Sequence, residues 1–334
     1  MLTISIPRRN PKLPTELECL IFETVALTHP EAVTKLLRVA KRVFAWIEPF
    51  LYRTLRIYVQ SYAGLEVLKR MDTKGAEFFS KSVRNVEITS TEGPKVTMGM
   101  LGGPGGPLPR TTFWCTDDLQ RILGACTQLQ YLLLEGDLDA DTLLPSLPLE
   151  TRPAHVVLIT HLARHKVNFG RPLFKNVTHL VVGDYKSSVS AVLPVHFDNW
   201  ADILALPALT HLAIAHHPAP RSVESILSDA PHLRVLIVRL TKLREAEWYS
   251  SQHVMGDDRI VFMGYRNLQT RRVDEMWAEA EEFIRRRRTG VQPTPAHLFH
   301  PLRANIAPTT IPFRTAPRSG LSWDSGSPAD SCSP

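Results

Sequence analysis

The sequence predicts an α/β chain: a three-helix N-terminal lobe, then a parallel sheet of short strands alternating with helices. Three observations carry this. Residues 15–47 place apolar side chains at helical spacing. From residue 52 onward, a six-residue pattern with apolar residues at its first, fourth and sixth positions recurs along the chain. Helix-like stretches, among them "TDDLQRILGAC", "FDNWADILAL" and "SVESILSDA", separate several of the copies. At 334 residues the chain can bury one large core or two smaller ones.

Thr15 and Glu18 have the spacing of a capping box, in which the hydroxyl accepts from the Glu18 amide and the carboxylate reaches back. Leu17, Leu20, Ile21 and Val25 follow on one helix. Pro30 suits the first turn of a second helix, lined by Val33, Leu36, Leu37 and Ala40. A third carries Val43, Phe44 and Ile47, and Pro49 is expected to disturb it. The segment "RTLRIYV" then alternates, with Leu55, Ile57 and Val59 on one side, which predicts a strand. The Trp46 stretch is expected to pack against that strand.

The six-residue pattern is clear in "VRNVEI" (83–88), "LQYLLL" (129–134), "VTHLVV" (177–182), "LTHLAI" (209–214) and "LRVLIV" (233–238). It is looser in "YRTLRI" (52–57) and "AHVVLI" (154–159). Successive starts are 31, 46, 25, 23, 32 and 24 residues apart. This is the strand half of a leucine-rich repeat, whose period is about 20–29 residues. An ordinary α/β sheet is the alternative. The polar Asn or Cys that closes such a repeat is replaced by Asp137, Tyr185, His217 and Thr241, so no asparagine ladder is expected. The expected repeat domain covers 53–290. It is interrupted at 93–110 by "GPKVTMGMLGGPGGPLPR", which reads as a mobile loop. Residues 273–288, acidic first and basic last, read as a helix that caps the stack at its C-terminal end. The Pro/Ser-rich tail, 291–334, reads as disordered.

The rest of the chain excludes more than it suggests. Four cysteines show no CxxC pair and no metal spacing, which fits a reducing cytoplasmic or nuclear setting. No signal-peptide core and no membrane-length apolar run is present, so no membrane partner is expected. The net charge of +6 is modest, and nucleic acid is not an expected partner. "GGPGGP" lacks the Gly-Lys-Ser/Thr of a phosphate loop. His161 and His165 lack the Glu of a zinc-protease helix, and His216-His217 has no third ligand. Asp117-Asp118 reads as a helix start, Asp257-Asp258 as a turn, and no nucleophile elbow occurs. No catalytic residue, metal or cofactor is expected. Arg285–Arg288 reads as a helix end or a nuclear-import signal.

The first 57 residues resemble an F-box. The elements are Leu13-Pro14-x-Glu16-Leu17, then Ile21-Phe22, then "LLRVAKRV", in which Leu36, Val39, Lys41 and Arg42 match. Ala40 stands where the family commonly has Cys, and Val43 where a Trp is usual. The phrase "WIEPFLYRTL" is similar to the close of the domain in the divergent F-box proteins abundant in fungi. The resemblance implies an F-box over 1–52 that binds a Skp-type adaptor and through it a cullin. The repeat domain would then bind an unknown target for ubiquitination, with no chemistry done by this chain. Carried over by position, the adaptor contacts are Leu13, Pro14, Leu17, Ile21, Leu36 and Val39. Two alternatives stand beside this. One is a repeat scaffold without ubiquitin-ligase function, motivated by Val43. The other is a nucleic-acid binder, motivated by the pI of about 9.2.

Overall fold

The computed structural model describes residues 13–59, 63–90, 114–160, 167–184, 200–215, 218, 220–240, 257–264, 273–290 and 297–298. The glycine-rich stretch 93–110 and the pairs His161/His165 and His216/His217 lie outside these residues. Contacts divide the chain into Met1–Phe299 and His300–Pro334, and the second part also lies outside them.

The N-terminal helices are α1 (Thr15–Thr28), α2 (Val33–Leu36) and α3 (Lys41–Leu51), with a 3-10 turn at Pro30–Ala32. They share a small core of Ala26, Val33, Val43 and Ile47, flanked by Phe22, Leu36, Leu37, Trp46 and Phe50. Three local expectations change. The capping box does not form; the Pro14 carbonyl starts α1, and Glu18 instead pairs with Arg42 of α3 at 2.8 Å. Pro49 leaves α3 intact to Leu51, because it falls in the last turn, where an i→i−3 bond from the Tyr52 amide to the Pro49 carbonyl already tightens the helix. Trp46 packs on Phe22 within the helical core, at 6.4 Å between ring centroids, and not on the first strand. The seam to the rest of the chain is made by Tyr52, edge-on to Phe78 and Phe79, and by Glu48 with Lys74 at 2.6 Å.

The remainder is α/β. A nine-stranded, all-parallel sheet runs β1 to β9 in sequence order, each strand beside the one before it. Its strands are β1 Thr54–Tyr58, β2 Asn85–Thr89, β3 Tyr131–Glu135, β4 His155–Thr160 and β5 His179–Asp184. They continue as β6 His211–Ile214, β7 Val235–Leu240, β8 Ile260–Gly264 and β9 His297–Leu298. Helices α4 (Ala63–Lys74), α5 (Ala76–Ser82), α6 (Thr116–Ala125), α7 (Ala140–Leu143), α8 (Trp200–Leu204) and α9 (Pro220–Asp229) lie between strands. The last helix, α10, is Val273–Arg288.

Register explains the repeating pattern. One ladder crosses eight strands through Leu55, Val86, Leu132, Val156, Leu180, Leu212, Leu236 and Ile260. A second runs through Ile57, Ile88, Leu134, Leu158, Val182, Ile214, Val238 and Phe262. These are the fourth and sixth positions of each copy, and all are buried against α4–α9 in one continuous core. The β4 copy is therefore "PAHVVL", starting at Pro153, one residue before the expected start. The sequence left this ambiguous because "VVLI" is apolar on both faces, so alternation could not set the register.

With that shift the starts from 129 onward are 129, 153, 177, 209 and 233, and β8 adds 257. The steps are 24, 24, 32, 24 and 24 residues. The β8 copy escapes the apolar pattern because its first position is Asp257. Arg259 compensates: it grips the Asp257 carboxylate at 2.7 Å and donates to the Leu227 and Ala230 carbonyls at 2.8 and 3.0 Å. The pair holds the Asp257 carboxyl below the usual carboxylate range, chiefly through the Arg259 hydrogen bond and against the effect of burial. β9 was also unanticipated; it places two residues of the expected disordered tail against β8.

α10 does not cap the end of the stack. It lies on the opposite sheet face from α4–α9, where Met276, Trp277, Ala280, Phe283 and Ile284 cover Val157, Val181, Ala213, Val235, Ile237, Val261 and Met263. From β4 to β8 the second face is also mostly apolar, interrupted by His155, His179 and His211, so it too needs a cover. On β1 and β2 the same face carries the Arg56–Glu87 ion pair at 2.9 Å, which water can solvate.

Candidate functional site

Large apolar side chains that stay in water are gathered in one part of the described residues. Ten large apolar residues are exposed among the described residues. Eight of them fall in residues 13–51, on the N-terminal helices and the segments beside them: Leu13, Leu17, Leu20, Ile21, Leu27, Val39, Phe44 and Leu51. Only Tyr58 and Leu149 lie elsewhere. Clustering of this kind, unlike scattered exposed leucines, marks an interaction surface.

The geometry of α1 shows why. Ala26 is buried and Phe22 half-buried on the side toward α3. Leu17, Leu20, Ile21 and Leu27 occupy a stripe on the other side, as the 3.6-residue period requires. The helix thus carries apolar side chains on two opposite sides, with Glu16, Glu18 and Glu23 between them, and two apolar sides normally call for two covers. Here only one side is covered by the chain.

Of the six positions carried over from the F-box pattern, Leu13, Leu17, Ile21 and Val39 are exposed at 53%, 47%, 50% and 59%. Pro14 is also exposed, and Leu36 is half-buried at the rim of the helical core. Sequence reasoning missed Leu20, Leu27, Phe44 and Leu51 as exposed groups. Helical spacing from Leu17 could have found Leu20; nothing in the sequence distinguishes Phe44 from the buried Val43 and Ile47 beside it. Val43 is 1% exposed and sits inside the helical core, so its departure from the usual Trp alters packing beneath the surface and not the surface itself.

A second constellation lies under α10. His155, His179 and His211 are paired in register on β4, β5 and β6, and their rings stack at 4.3 and 4.0 Å. Trp277 stands edge-on to His179 and His211 at 5.4 and 5.6 Å. His211 Nε2–H donates to Glu281 at 3.1 Å, and its Nδ1 lies 2.8 Å from the Thr210 hydroxyl, which completes a neutral ring. Burial first, then the neighbouring His211, His155 and Arg234, push His179 down to about 3. Burial also lowers His211, opposed by the Glu281 hydrogen bond. Rings stacked 12° from parallel aim their nitrogens side by side and not at one point, so they cannot share a metal ion. No metal-binding grouping of three His, Cys, Asp or Glu occurs among the described residues.

The basic run is internally occupied. Arg285 and Arg286 pair with Glu282 at 2.7 and 2.6 Å, Arg287 donates to the Ile260 carbonyl, and Arg288 lies 4.0 Å from Asp258. Cys19, Cys115 and Cys126 are free thiols, and burial pushes Cys126 up to about 12. No described helix is long and apolar enough to cross a membrane.

Comparison with protein-family models found no match, and comparison with curated proteins found none either.

Proposed function

We propose that this chain is a substrate-recognition subunit of an SCF-type ubiquitin ligase. The N-terminal helices form an F-box lobe that seats on a Skp-type adaptor, itself carried by a cullin. The sheet domain is a divergent leucine-rich-repeat-like solenoid that holds the target protein. The observation that carries the reading is the concentration of exposed large apolar side chains on residues 13–51. Each one moved out of water contributes about 1.5–3 kcal/mol, so a few anchors give a stable interface.

The solenoid reading is supported by the recurring 24-residue step and by strands that each pair with their sequence neighbours. The motive for a scaffold without adaptor binding was Val43, and that side chain is internal. The motive for nucleic-acid binding was the basic composition, and its densest run is spent on carboxylates and a carbonyl of the chain itself. The protein acts by binding, in the cytoplasm or nucleus, and carries no catalytic centre of its own.

The test is co-purification of the full chain with a Skp-type adaptor, for wild type and for the double variant Leu17→Asp/Ile21→Asp. Wild type brings the adaptor down and the folded double variant does not. Equal capture by both, with matching circular dichroism, would defeat the assignment.

A further inference from the structure

The link between α2 and α3 carries a charge pattern that the apolar surface alone does not explain. Lys35, Arg38 and Lys41 are all exposed, and none has a carboxylate partner among the described residues. They flank Val39 in sequence, and Val39 is among the most exposed large apolar residues of those described. The neighbouring Arg42 is different: Glu18 holds it at 2.8 Å. The backbone of the link is fixed by the Leu37 amide on the Val33 carbonyl at 3.1 Å, Arg38 on Lys35 at 3.1 Å and Val39 on Leu36 at 3.0 Å. The three cations are therefore presented from a tight, hydrogen-bonded turn and not from a loose loop.

Residues 13–53 contain five acids and five bases; four of the acids precede every base, and the fifth, Glu48, is paired with Lys74 at 2.6 Å. Glu16, Glu18, Glu23 and Glu31 lie on α1 and the turn after it; Lys35, Arg38, Lys41, Arg42 and Arg53 follow. The apolar surface is thus bordered by free positive charge on the Val39 side and by acidic residues on the α1 side. A partner that covers Val39 must meet three like charges with no internal counter-ion. A neutral or basic rim there would bury or crowd them at a cost, whereas an acidic rim would attract them.

Resting on the adaptor-binding reading above, we propose that the partner surface is an apolar groove whose rim opposite Val39 is acidic, with Lys35, Arg38 and Lys41 steering its approach. Such rim charges act on the association rate more than on the lifetime of the complex. The apolar anchors act on the lifetime.

The experiment measures association and dissociation of purified Skp-type adaptor on the immobilised full chain, at about 20 mM and about 500 mM salt. The proteins compared are wild type, K35E/R38E/K41E and Leu17→Ala. The three charges are solvent-exposed, so the reversal variant is expected to fold as wild type does. Wild-type association should slow about tenfold or more from low to high salt. The charge reversal should slow it at least about tenfold at low salt, with dissociation changed by less than about threefold; Leu17→Ala should show the opposite split. If wild type binds and the reversal leaves low-salt association unchanged or faster, the acidic rim is wrong and adaptor binding stands. If wild type binds no adaptor, the reading on which the rim rests falls, and the rim with it.

Discussion

Removing Arg259 tests whether Asp257 truly occupies the first position of an eighth copy. In the seven earlier copies that position holds Tyr52, Val83, Leu129, Pro153, Val177, Leu209 and Leu233. The Asp257–Arg259 pair is partly exposed, 27% and 20% for the two side chains. It lies between the surface and buried regimes, so breaking it costs about 2 kcal/mol. Arg259 also serves two carbonyls, at about 1 kcal/mol each, so Arg259→Ala should destabilise by about 4 kcal/mol. Asp257→Leu breaks the same pair and the bond from the Arg259 amide to Asp257 Oδ1 at 2.9 Å, about 1 kcal/mol, but returns about 1 kcal/mol of apolar contact to a half-buried position, for a net loss of about 2 kcal/mol. The double variant breaks the pair once and should lose about 4 kcal/mol, against about 6 kcal/mol for the sum of the singles. Urea denaturation of the four proteins, comparing midpoints and slopes, reads this coupling of about 2 kcal/mol. Additivity within about 0.5 kcal/mol would show that Asp257 and Arg259 do not work as a unit, and the eighth copy would lose its physical basis.

Three further outcomes follow from the same structure. Gly183 faces Ala215 so closely that an added Cβ would sit 2.6 Å from the Ala215 Cβ; Gly183→Ala should cost about 1–3 kcal/mol in thermal or urea unfolding. Unfolded His179 titrates near 6.5 and the folded ring near 3, so the unfolded chain binds more protons between these values. Stability is therefore complete above about 6.5 and falls as pH drops toward 3; with the ring partly exposed, about 1 kcal/mol is lost by pH 5, and His179→Phe should flatten that slope in urea midpoints taken at pH 7.5 and 5. Leu17→Asp should leave the melting temperature within about 2 °C, whereas Val43→Asp, which buries a carboxylate in the helical core, should prevent the N-terminal helices from folding, as amide exchange of α1 and α3 would show.

What the sequence showed depended on how many faces of an element were apolar. β1 alternates cleanly, with Leu55 and Ile57 inside and Arg56 outside, and its residues and register were legible. β4 is apolar on both sides, and its register slipped by one. β8 was hidden by one polar residue in an otherwise apolar frame, since the Arg259 that makes Asp257 tolerable is recognised only when the α9 carbonyls are in place. The same limit governed the exposed apolar surface of residues 13–51. Leu13, Leu17, Ile21 and Val39 could be named in advance, but which leucines of a helix apolar on two sides face water depends on where Val43 and Ile47 take α3. The histidine ladder needed register most of all. His155, His179 and His211 are 24 and 32 residues apart, and only parallel pairing of successive strands stacks them.

Because every strand from β1 to β8 touches only its chain neighbours, the sheet has no keystone. Cutting out residues 153–176 would fuse Arg152 to Val177 and set β5 beside β3, with Leu180 inheriting the place of Val156 next to Leu132. The shortened protein would keep both apolar ladders unbroken and lose a single rung, His155, from the imidazole stack. Length, in such a design, is a quantity that gene duplication or deletion can adjust one unit at a time without inventing a new core.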